Sequence, residues 1–181
     1  ATGNVTFNST LDSVTAETNS LLVNNSGTTT FNGLVGSNDR LSTLTTDAGG
    51  STVINTSSIK TVTDQTYNDA VKLDTNTTLD SSASGNITFN STLDSVTGET
   101  NSLDVNTSGT TTFNGLVGSS DRLLTVTTDA GGSTVINTSS IKTLSEQTYN
   151  DAVILETNTT LYSSSSGNIT FNTTLDSASA E

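Results

Sequence analysis

Short runs of alternating apolar and polar residues, separated by clusters of turn formers, make up the whole chain. In Val5-Thr6-Phe7 the period of two places Val5 and Phe7 on one face of a strand and Thr6 on the other. Residues that tolerate positive φ and form tight corners separate such runs, for example at 24–27, 36–39 and 47–50. No segment has the period of an amphipathic helix. The pattern predicts an all-β protein of many short strands.

An 82-residue repeat organises these strands. The segment that begins at Gly3 returns at Gly85 and again at Gly167, each time 82 residues further along the chain. Direct comparison of the first two copies gives 68 identical positions and 14 differences. Long arrays are the usual source of such near-exact repetition. The predicted units are repeat 1 at 3–84, repeat 2 at 85–166 and the start of repeat 3 at 167–181, in one continuous solenoid.

A shorter motif recurs inside each repeat, in which a large apolar residue directly precedes an asparagine. Spacings between the apolar residues, up to the first motif of repeat 2, are 24, 23, 13 and 22 residues. Most of these spacings suit one turn of a parallel β-solenoid, or β-helix, whose coils stack about 4.8 Å apart. The 13-residue step is too short for a turn. Either a repeat is three turns with one long turn, or it is four turns with one motif on a different face. The motifs are Phe7-Asn8, Phe31-Asn32, Ile54-Asn55, Tyr67-Asn68 and Phe89-Asn90.

The asparagine of each motif has a structural use in a solenoid. Stacked at one corner of successive coils, asparagine side chains hydrogen-bond along the axis as a ladder and satisfy backbone groups of the turns. The alternative is that these asparagines are ordinary turn formers. The predicted ladder and core residues are Asn8, Asn32, Asn55 and Asn90 with Phe7, Phe31, Ile54 and Phe89.

Differences between the two repeats separate core from surface. Positions that exchange one apolar residue for another are predicted to lie in the core; they are Val5/Ile87, Leu44/Val126 and Val62/Leu144. A packed interior would not accept a change between charge and apolar bulk at low cost. Positions with that change are therefore predicted to be exposed; they are Leu22/Asp104, Lys72/Ile154 and Asp80/Tyr162.

Composition excludes several kinds of chemistry. Thr, Ser and Asn account for 40, 28 and 20 of the 181 residues, and there is no His, Cys, Met, Trp or Pro. Without His or Cys there is no Ser-His-Asp triad, no thiol nucleophile, no disulfide and no ordinary zinc or iron site. We therefore expect no enzymatic activity, no catalytic residues, no cofactor and no bound metal.

Two pairs of carboxylates that recur with the repeat, Asp39/Asp121 and Asp47/Asp129, are the remaining catalytic candidates. Neither segment offers the apolar setting that would raise the pKa of a glycosidase acid. In the calcium-binding nonapeptide the Asp follows the glycines, whereas Asp47 precedes Gly49-Gly50. We interpret these acids as solvated turn residues.

Three further surface patterns have ordinary explanations. The Asn-x-Ser/Thr triplets are expected by chance in a chain this rich in these residues. An ice-binding face needs a threonine at the same place in every coil, and Val5-Thr6, Thr52-Val53 and Gln65-Thr66 make that rank irregular. Lys60 and Lys142 lie near Asn and Asp residues, but no spacing singles out an isopeptide pair, and we interpret them as surface lysines. The Asn-x-Ser/Thr triplets include those that begin at Asn4, Asn8, Asn55, Asn76 and Asn158.

A net charge of −13, from 18 acidic and 5 basic residues, makes nucleic acid and anionic membrane surfaces poor partners. No apolar run approaches the ~20 residues that span a bilayer, so we expect no membrane insertion. The chain has no opening signal peptide and no initiator Met, which we interpret as a window from a longer or processed protein. Open strand edges predict end-to-end association with neighbouring copies of the repeat. Binding to a host or other cell surface would use regions outside this sequence.

The segments GTTTFNGLVG at 27–36, LTTDAGG at 44–50 and DQTYNDAV at 64–71 resemble the repeat regions of very large bacterial surface and secreted proteins. Among these they are similar to the filamentous-haemagglutinin-like adhesins. The resemblance covers essentially the whole chain. It implies a right-handed parallel β-helix shaft, exported across the envelope, with recognition often carried elsewhere.

These observations favour a structural, non-catalytic segment of a long extracellular fibre or adhesin stalk that acts as a rigid spacer. One alternative keeps the adhesive role but makes each repeat a separate Ig-like domain. Another is a carbohydrate- or ice-binding face on the solenoid.

Overall fold

Coils of about 22 residues stack along one axis in the computed structural model, which describes residues 2–178. The strands in this range pair in parallel and none of these residues is helical, so the predicted all-β parallel solenoid is confirmed. An Ig-like sandwich would instead pair its strands antiparallel. The strands of the described range are β1 (Val5–Phe7), β2 (Leu21–Val23), β3 (Thr28–Phe31), β4 (Leu44–Thr46), β5 (Ser51–Ile54), β6 (Ser58–Thr61), β7 (Gln65–Tyr67), β8 (Ala70–Leu73), β9 (Thr77–Ser81), β10 (Ile87–Phe89), β11 (Leu93–Ser95), β12 (Leu103–Thr107), β13 (Thr110–Phe113), β14 (Val126–Thr128), β15 (Ser133–Ile136), β16 (Ser140–Thr143), β17 (Gln147–Tyr149), β18 (Ala152–Leu155), β19 (Thr160–Ser163), β20 (Ile169–Phe171) and β21 (Leu175–Ser177).

Each coil has three faces, and each face is a sheet that runs along the axis. Face 1 contains β1, β3, β5, β8 and β11, and continues through the bridges Leu93–Val117 and Val117–Ile141 to β16 and β19. Face 2 begins with the bridges Leu11–Val35 and Val35–Ile59 and continues through β6, β9, β12, β14, β17 and β20. Face 3 contains β2, β4, β7, β10, β13, β15, β18 and β21.

The 82-residue repeat is out of step with the coil. Val5 lies on face 1, whereas its equivalent in the second repeat, Ile87, lies on face 3 and pairs there with Gln65 and Thr111. From Val5 the chain moves from one face to the next eleven times before it reaches Ile87. Because three such steps make one turn, one repeat makes three and two-thirds turns. The segments on successive faces start near Val5, Leu11, Leu21, Thr29, Val35, Leu44, Thr52, Ile59, Gln65, Val71 and Leu79.

This mismatch explains the 13-residue step. It carries the apolar–Asn motif from Ile54 on face 1 to Tyr67 on face 3, in less than one turn. The number of coils per repeat is therefore neither three nor four, and one motif does change face. Each repeat presents the same sequence one-third of a turn away from the previous repeat.

Strand alternation sets the core. Ile87, Leu44 and Val126 are fully buried, and Val5 is half-buried in the first coil of the structure. Val62 and Leu144, which the sequence comparison placed in the core, are only half-buried. They follow Thr61 and Thr143, whose side chains point inward, so the next side chain along the strand direction points outward.

The positions that exchange charge for apolar bulk are mainly on the surface. Leu22 and Tyr162 are 65% and 45% exposed, and Asp104 and Lys72 are also exposed. Asp80 and Ile154 are half-buried rather than exposed, in the case of Asp80 because an arginine side chain covers it. Within residues 2–178 there is no helix long and apolar enough to cross a membrane.

Candidate functional site

Asparagine side chains form hydrogen-bonded ladders along the corners of the solenoid. Asn32 Nδ2 donates to Asn8 Oδ1 at 2.9 Å, and Asn55 Nδ2 donates to Asn32 Oδ1 at 3.1 Å. Asn32 thus donates to the coil before it and accepts from the coil after it. The three residues lie at the ends of adjacent strands of face 1.

Asn90 belongs to a second ladder, on face 3. Asn90 Nδ2 donates to Asn68 Oδ1 at 2.7 Å, Asn114 Nδ2 to Asn90 Oδ1 at 2.8 Å, and Asn137 Nδ2 to Asn114 Oδ1 at 3.1 Å. Asn68 starts this ladder by donating to the Thr46 carbonyl oxygen at 2.7 Å. A third ladder begins in the same way at Asn150 and continues to Asn172. Each ladder therefore follows the repeat to a new face.

Aromatic rings stack beneath the ladders, inside the solenoid. Phe7 and Phe31 are parallel with centroids 5.1 Å apart, and Phe89 stacks between Tyr67 and Phe113 at 5.3 and 5.5 Å. Offset stacking of this kind adds ~0.5–1.5 kcal/mol per pair to the burial energy. Ile54 continues the first stack above Phe31 and is fully buried. The predicted ladder and core residues thus divide between two faces, with Phe89 and Asn90 apart from the others.

A buried polar network that the sequence analysis did not single out lies next to the stacks that begin at Tyr67 and Tyr149. Gln65 and Tyr67 are fully buried, and Tyr67 Oη donates to Gln65 Oε1 at 3.0 Å. Gln65 Nε2 donates to Thr61 Oγ1 and to the carbonyl oxygens of Ile59 and Asp80. Burial raises the pKa of the Tyr67 hydroxyl, which keeps it a neutral donor. The period of two in Gln-Thr-Tyr is the signal that could have placed Gln65 inside.

Asp69 and its equivalent Asp151 are buried carboxylates, each 3% exposed. Thr46 and Thr52 donate their hydroxyls to Asp69 Oδ1 at 2.8 and 2.9 Å. Burial raises the pKa of the Asp69 carboxyl, the threonine hydrogen bonds oppose this, and the Asp47 charge adds to it. The arrangement fixes the corner between the motif and β8. No pattern in the sequence distinguishes these aspartates from the exposed ones.

The carboxylates considered as catalytic candidates hold turns. Asp39 Oδ2 and Asp121 Oδ2 accept from the hydroxyls of Thr15 and Thr97, at 3.1 and 2.9 Å. Asp47 Oδ1 accepts from the backbone N–H of Asn25 at 2.9 Å, and Asp129 is bonded in the same way in the second repeat. In the described part of the chain no group of three or more acidic side chains could hold a metal ion.

A rank of outward-facing threonines crosses face 3. The sequence interpretation compared Thr6, Val53 and Thr66, of which the structure places Thr6 and Val53 on face 1 and Thr66 on face 3. On face 1 the outward rank is irregular, because Val53 follows Thr6 and Thr30. The rank on face 3 is regular for four coils, and leucine and valine interrupt it at its two ends. The following repeat moves the equivalent threonines to face 2, so the rank cannot extend into a broad flat surface. Its members are Thr45, Thr66, Thr88 and Thr112, between Leu22 and Val135.

This arrangement can resist deformation along the axis, because every coil is joined to the next by three sheets, a ladder and a packed stack.

No family model, no curated protein and no solved structure matches the chain.

Proposed function

We propose that this chain is a structural, non-catalytic segment of a long extracellular fibre or adhesin stalk, where it serves as a rigid repetitive spacer. The observation that supports the proposal best is the continuity of strand pairing across the boundary between repeats. β7 and β9 of the first repeat pair with β10 and β12 of the second in full register. A rod without a break at its repeat boundaries has no built-in hinge.

The dimensions suit a spacer. At about 4.8 Å per coil, three and two-thirds turns advance ~18 Å per repeat. Each added repeat also adds nearest-neighbour interfaces along the same core, so stability grows with length. The net charge of −13 opposes side-by-side clumping of such rods.

The extracellular part of the proposal rests on the resemblance to repeat regions of bacterial surface proteins and on composition. Threonine, serine and asparagine dominate the chain and there is no cysteine. Such a surface tolerates an oxidising exterior without disulfides or exposed thiols. Antibodies raised against the purified chain should label intact, unpermeabilised cells of the source organism. Labelling only after permeabilisation would contradict this location.

Arrays of two, four and six repeats test the spacer function. We expect the maximum dimension in small-angle X-ray scattering to rise linearly by ~35 Å for each two repeats added, with the cross-section unchanged. A matched array with a Gly-Ser linker between repeats should rise less than linearly, as flexible chains do. If the uninterrupted array followed the linker-containing array, the chain would not be a rigid spacer.

A further inference from the structure

A loop at residues 36–40 projects from face 2, between Val35 and Leu41, which bridge to Ile59 and Thr61 of the next coil. Arg40 ends this loop. Its guanidinium donates to both carboxylate oxygens of Asp80, from Nη1 to Oδ1 at 2.7 Å and from Nη2 to Oδ2 at 3.1 Å. This fork geometry is the strongest form of arginine–carboxylate contact. Asp80 lies two coils after Arg40, because Leu41 bridges to β6 and β6 pairs with β9, so the Arg40 side chain spans two coils to reach it.

A second cation faces the same carboxylate in the first repeat. Lys60 on β6 lies directly opposite Asp80 on β9 in the parallel register. Lys60 and Asp80 occupy outward positions of their strands. One carboxylate of the chain itself thus lies beside two cations.

The second repeat keeps both cations and replaces the carboxylate. Tyr162 stands where the first repeat has Asp80. Lys142 lies opposite Tyr162 on the neighbouring strand, and the Arg122 guanidinium carbon lies 5.2 Å from the centre of the Tyr162 ring. Between residues 2 and 178 the Arg40–Asp80 contact is the one salt bridge, so neither Arg122 nor Lys142 is paired with an acid there.

Arg122 and Lys142 line a groove of about 410 Å³. This volume is within the range of small-molecule sites, ~300–1,000 Å³. The hydroxyl-bearing residues Thr100, Ser119 and Ser120 form much of the wall. The groove is therefore polar, with both cations on its lining.

Two acids also line the groove, Glu99 and Asp121. Glu99 Oε2 accepts from Asn101 Nδ2 at 3.2 Å, and Asp121 Oδ2 accepts from the Thr97 hydroxyl. These acids would repel a ligand with several negative charges, such as a phosphorylated chain or an acidic peptide. They can accept hydrogen bonds from neutral hydroxyls.

We propose that this groove binds a sugar that carries a single carboxylate, of the uronic acid class. The sugar carboxylate accepts hydrogen bonds from the Arg122 guanidinium and the Lys142 ammonium, the two cations of the groove lining. Tyr162 occupies the Asp80 position against Arg122 and is not part of the groove lining. The sugar hydroxyls donate to Glu99 and Asp121 and exchange hydrogen bonds with the serine and threonine hydroxyls. This binding goes beyond the spacer function and does not depend on it.

Titration of the ¹⁵N-labelled 181-residue chain with galacturonic acid tests the proposal. We expect saturable peak shifts confined to the groove, and no comparable shifts with galactose, which lacks the carboxylate. Tyr162→Asp should weaken binding at least tenfold because it restores an internal acid beside Arg122. Tyr162→Phe, which keeps the ring, should bind like the unaltered chain.

The two repeats provide a matched pair of arginine variants. Arg122→Gln should weaken binding at least tenfold, and Arg40→Gln should leave it unchanged; circular dichroism and melting temperature verify that each variant folds. If Tyr162→Asp fails to fold, the arginine pair still decides the question. Equal loss in both arginine variants, equal shifts with galactose, or no shifts at the highest soluble galacturonic acid concentration would overturn the proposal. The array-length measurement is independent of all these outcomes.

Discussion

At the scale of single residues, an inward-facing polar side chain is accommodated when it finds hydrogen-bond partners in its own or a neighbouring coil. Asn25 and its equivalent Thr107 differ in whether every polar atom has such a partner. Both accept a hydrogen bond from a backbone N–H two residues on, Gly27 or Gly109. Thr107 also donates to the Gly85 carbonyl oxygen, whereas the Asn25 amide nitrogen is buried without a partner in the described structure.

We predict that Asn25→Thr stabilises the protein by about 1 kcal/mol, because it removes an unsatisfied buried amide and can donate to the Gly3 carbonyl oxygen. The reciprocal change, Thr107→Asn, should destabilise the protein by a similar amount. Urea unfolding of both variants checks the prediction. Changes of the same sign in the two variants would contradict it.

Asp69 and Asp151 make stability depend on pH. Because burial raises the pKa of both carboxyls in the folded state, folded protein binds protons more tightly than unfolded protein there. The cost of burying the two charges is therefore present at neutral pH. It falls as pH drops through the raised folded pKa toward the unfolded value of ~3.9, by at most ~1.4 kcal/mol per carboxylate per pH unit.

The double variant Asp69→Asn/Asp151→Asn should show this effect by subtraction. An asparagine Oδ1 can still accept from Thr46 and Thr52, or from Thr128 and Thr134 in the second repeat. We expect the variant to gain stability relative to the unaltered chain at pH 7 and to lose that advantage near pH 4. Urea unfolding across this range measures it, and a pH-independent difference would refute the assignment.

At the scale of elements, close backbone contact between coils fixes the corners. A Cβ on Gly115 would lie 2.0 Å from the Ser91 carbonyl oxygen, so no side chain fits there. Gly98 has nothing within 4 Å of its Cβ position, and the first repeat has Ala16 at the equivalent place.

Gly115→Ala should therefore destabilise the chain by ~1–3 kcal/mol or more, as overpacking does. Gly98→Ala should cost less, about 1 kcal/mol, because Gly98 lies at φ +89°, where an alanine is strained but finds open space, as Ala16 does at φ 68° in the first repeat. Thermal melting of the two variants gives the comparison. Equal melting temperatures would mean that the coils do not approach each other closely at Gly115.

The strands and the inward residues could largely be predicted from the period of two, as in Val5-Thr6-Phe7 and Thr111-Thr112-Phe113. The assignment of strands to faces could not. It depends on the summed lengths of many similar turns, and one coil from Thr52 to Val71 takes only 19 residues where its neighbours take 22 to 24. The pairing of Arg40 with Asp80, 40 residues away, depends on the same assignment of strands to faces, so it could not be predicted from the sequence either.

At the scale of the whole molecule, the one-third rotation between repeats distributes every surface feature around the rod. A groove, ladder or threonine rank recurs on the same face only after three repeats, or eleven coils. At about 4.8 Å per coil this distance is ~53 Å. Ligands bound once per repeat would therefore follow a helical path around the shaft.

Helical reconstruction of a long array by cryo-electron microscopy tests the one-third-turn rotation between repeats most directly. The structure predicts a rise of ~18 Å per repeat with a rotation of one-third of a turn, modified only by the twist of the sheets, and a strong 4.8 Å meridional reflection. A rise of ~14 or ~19 Å without that rotation would mean that repeats hold a whole number of coils, and would contradict the account.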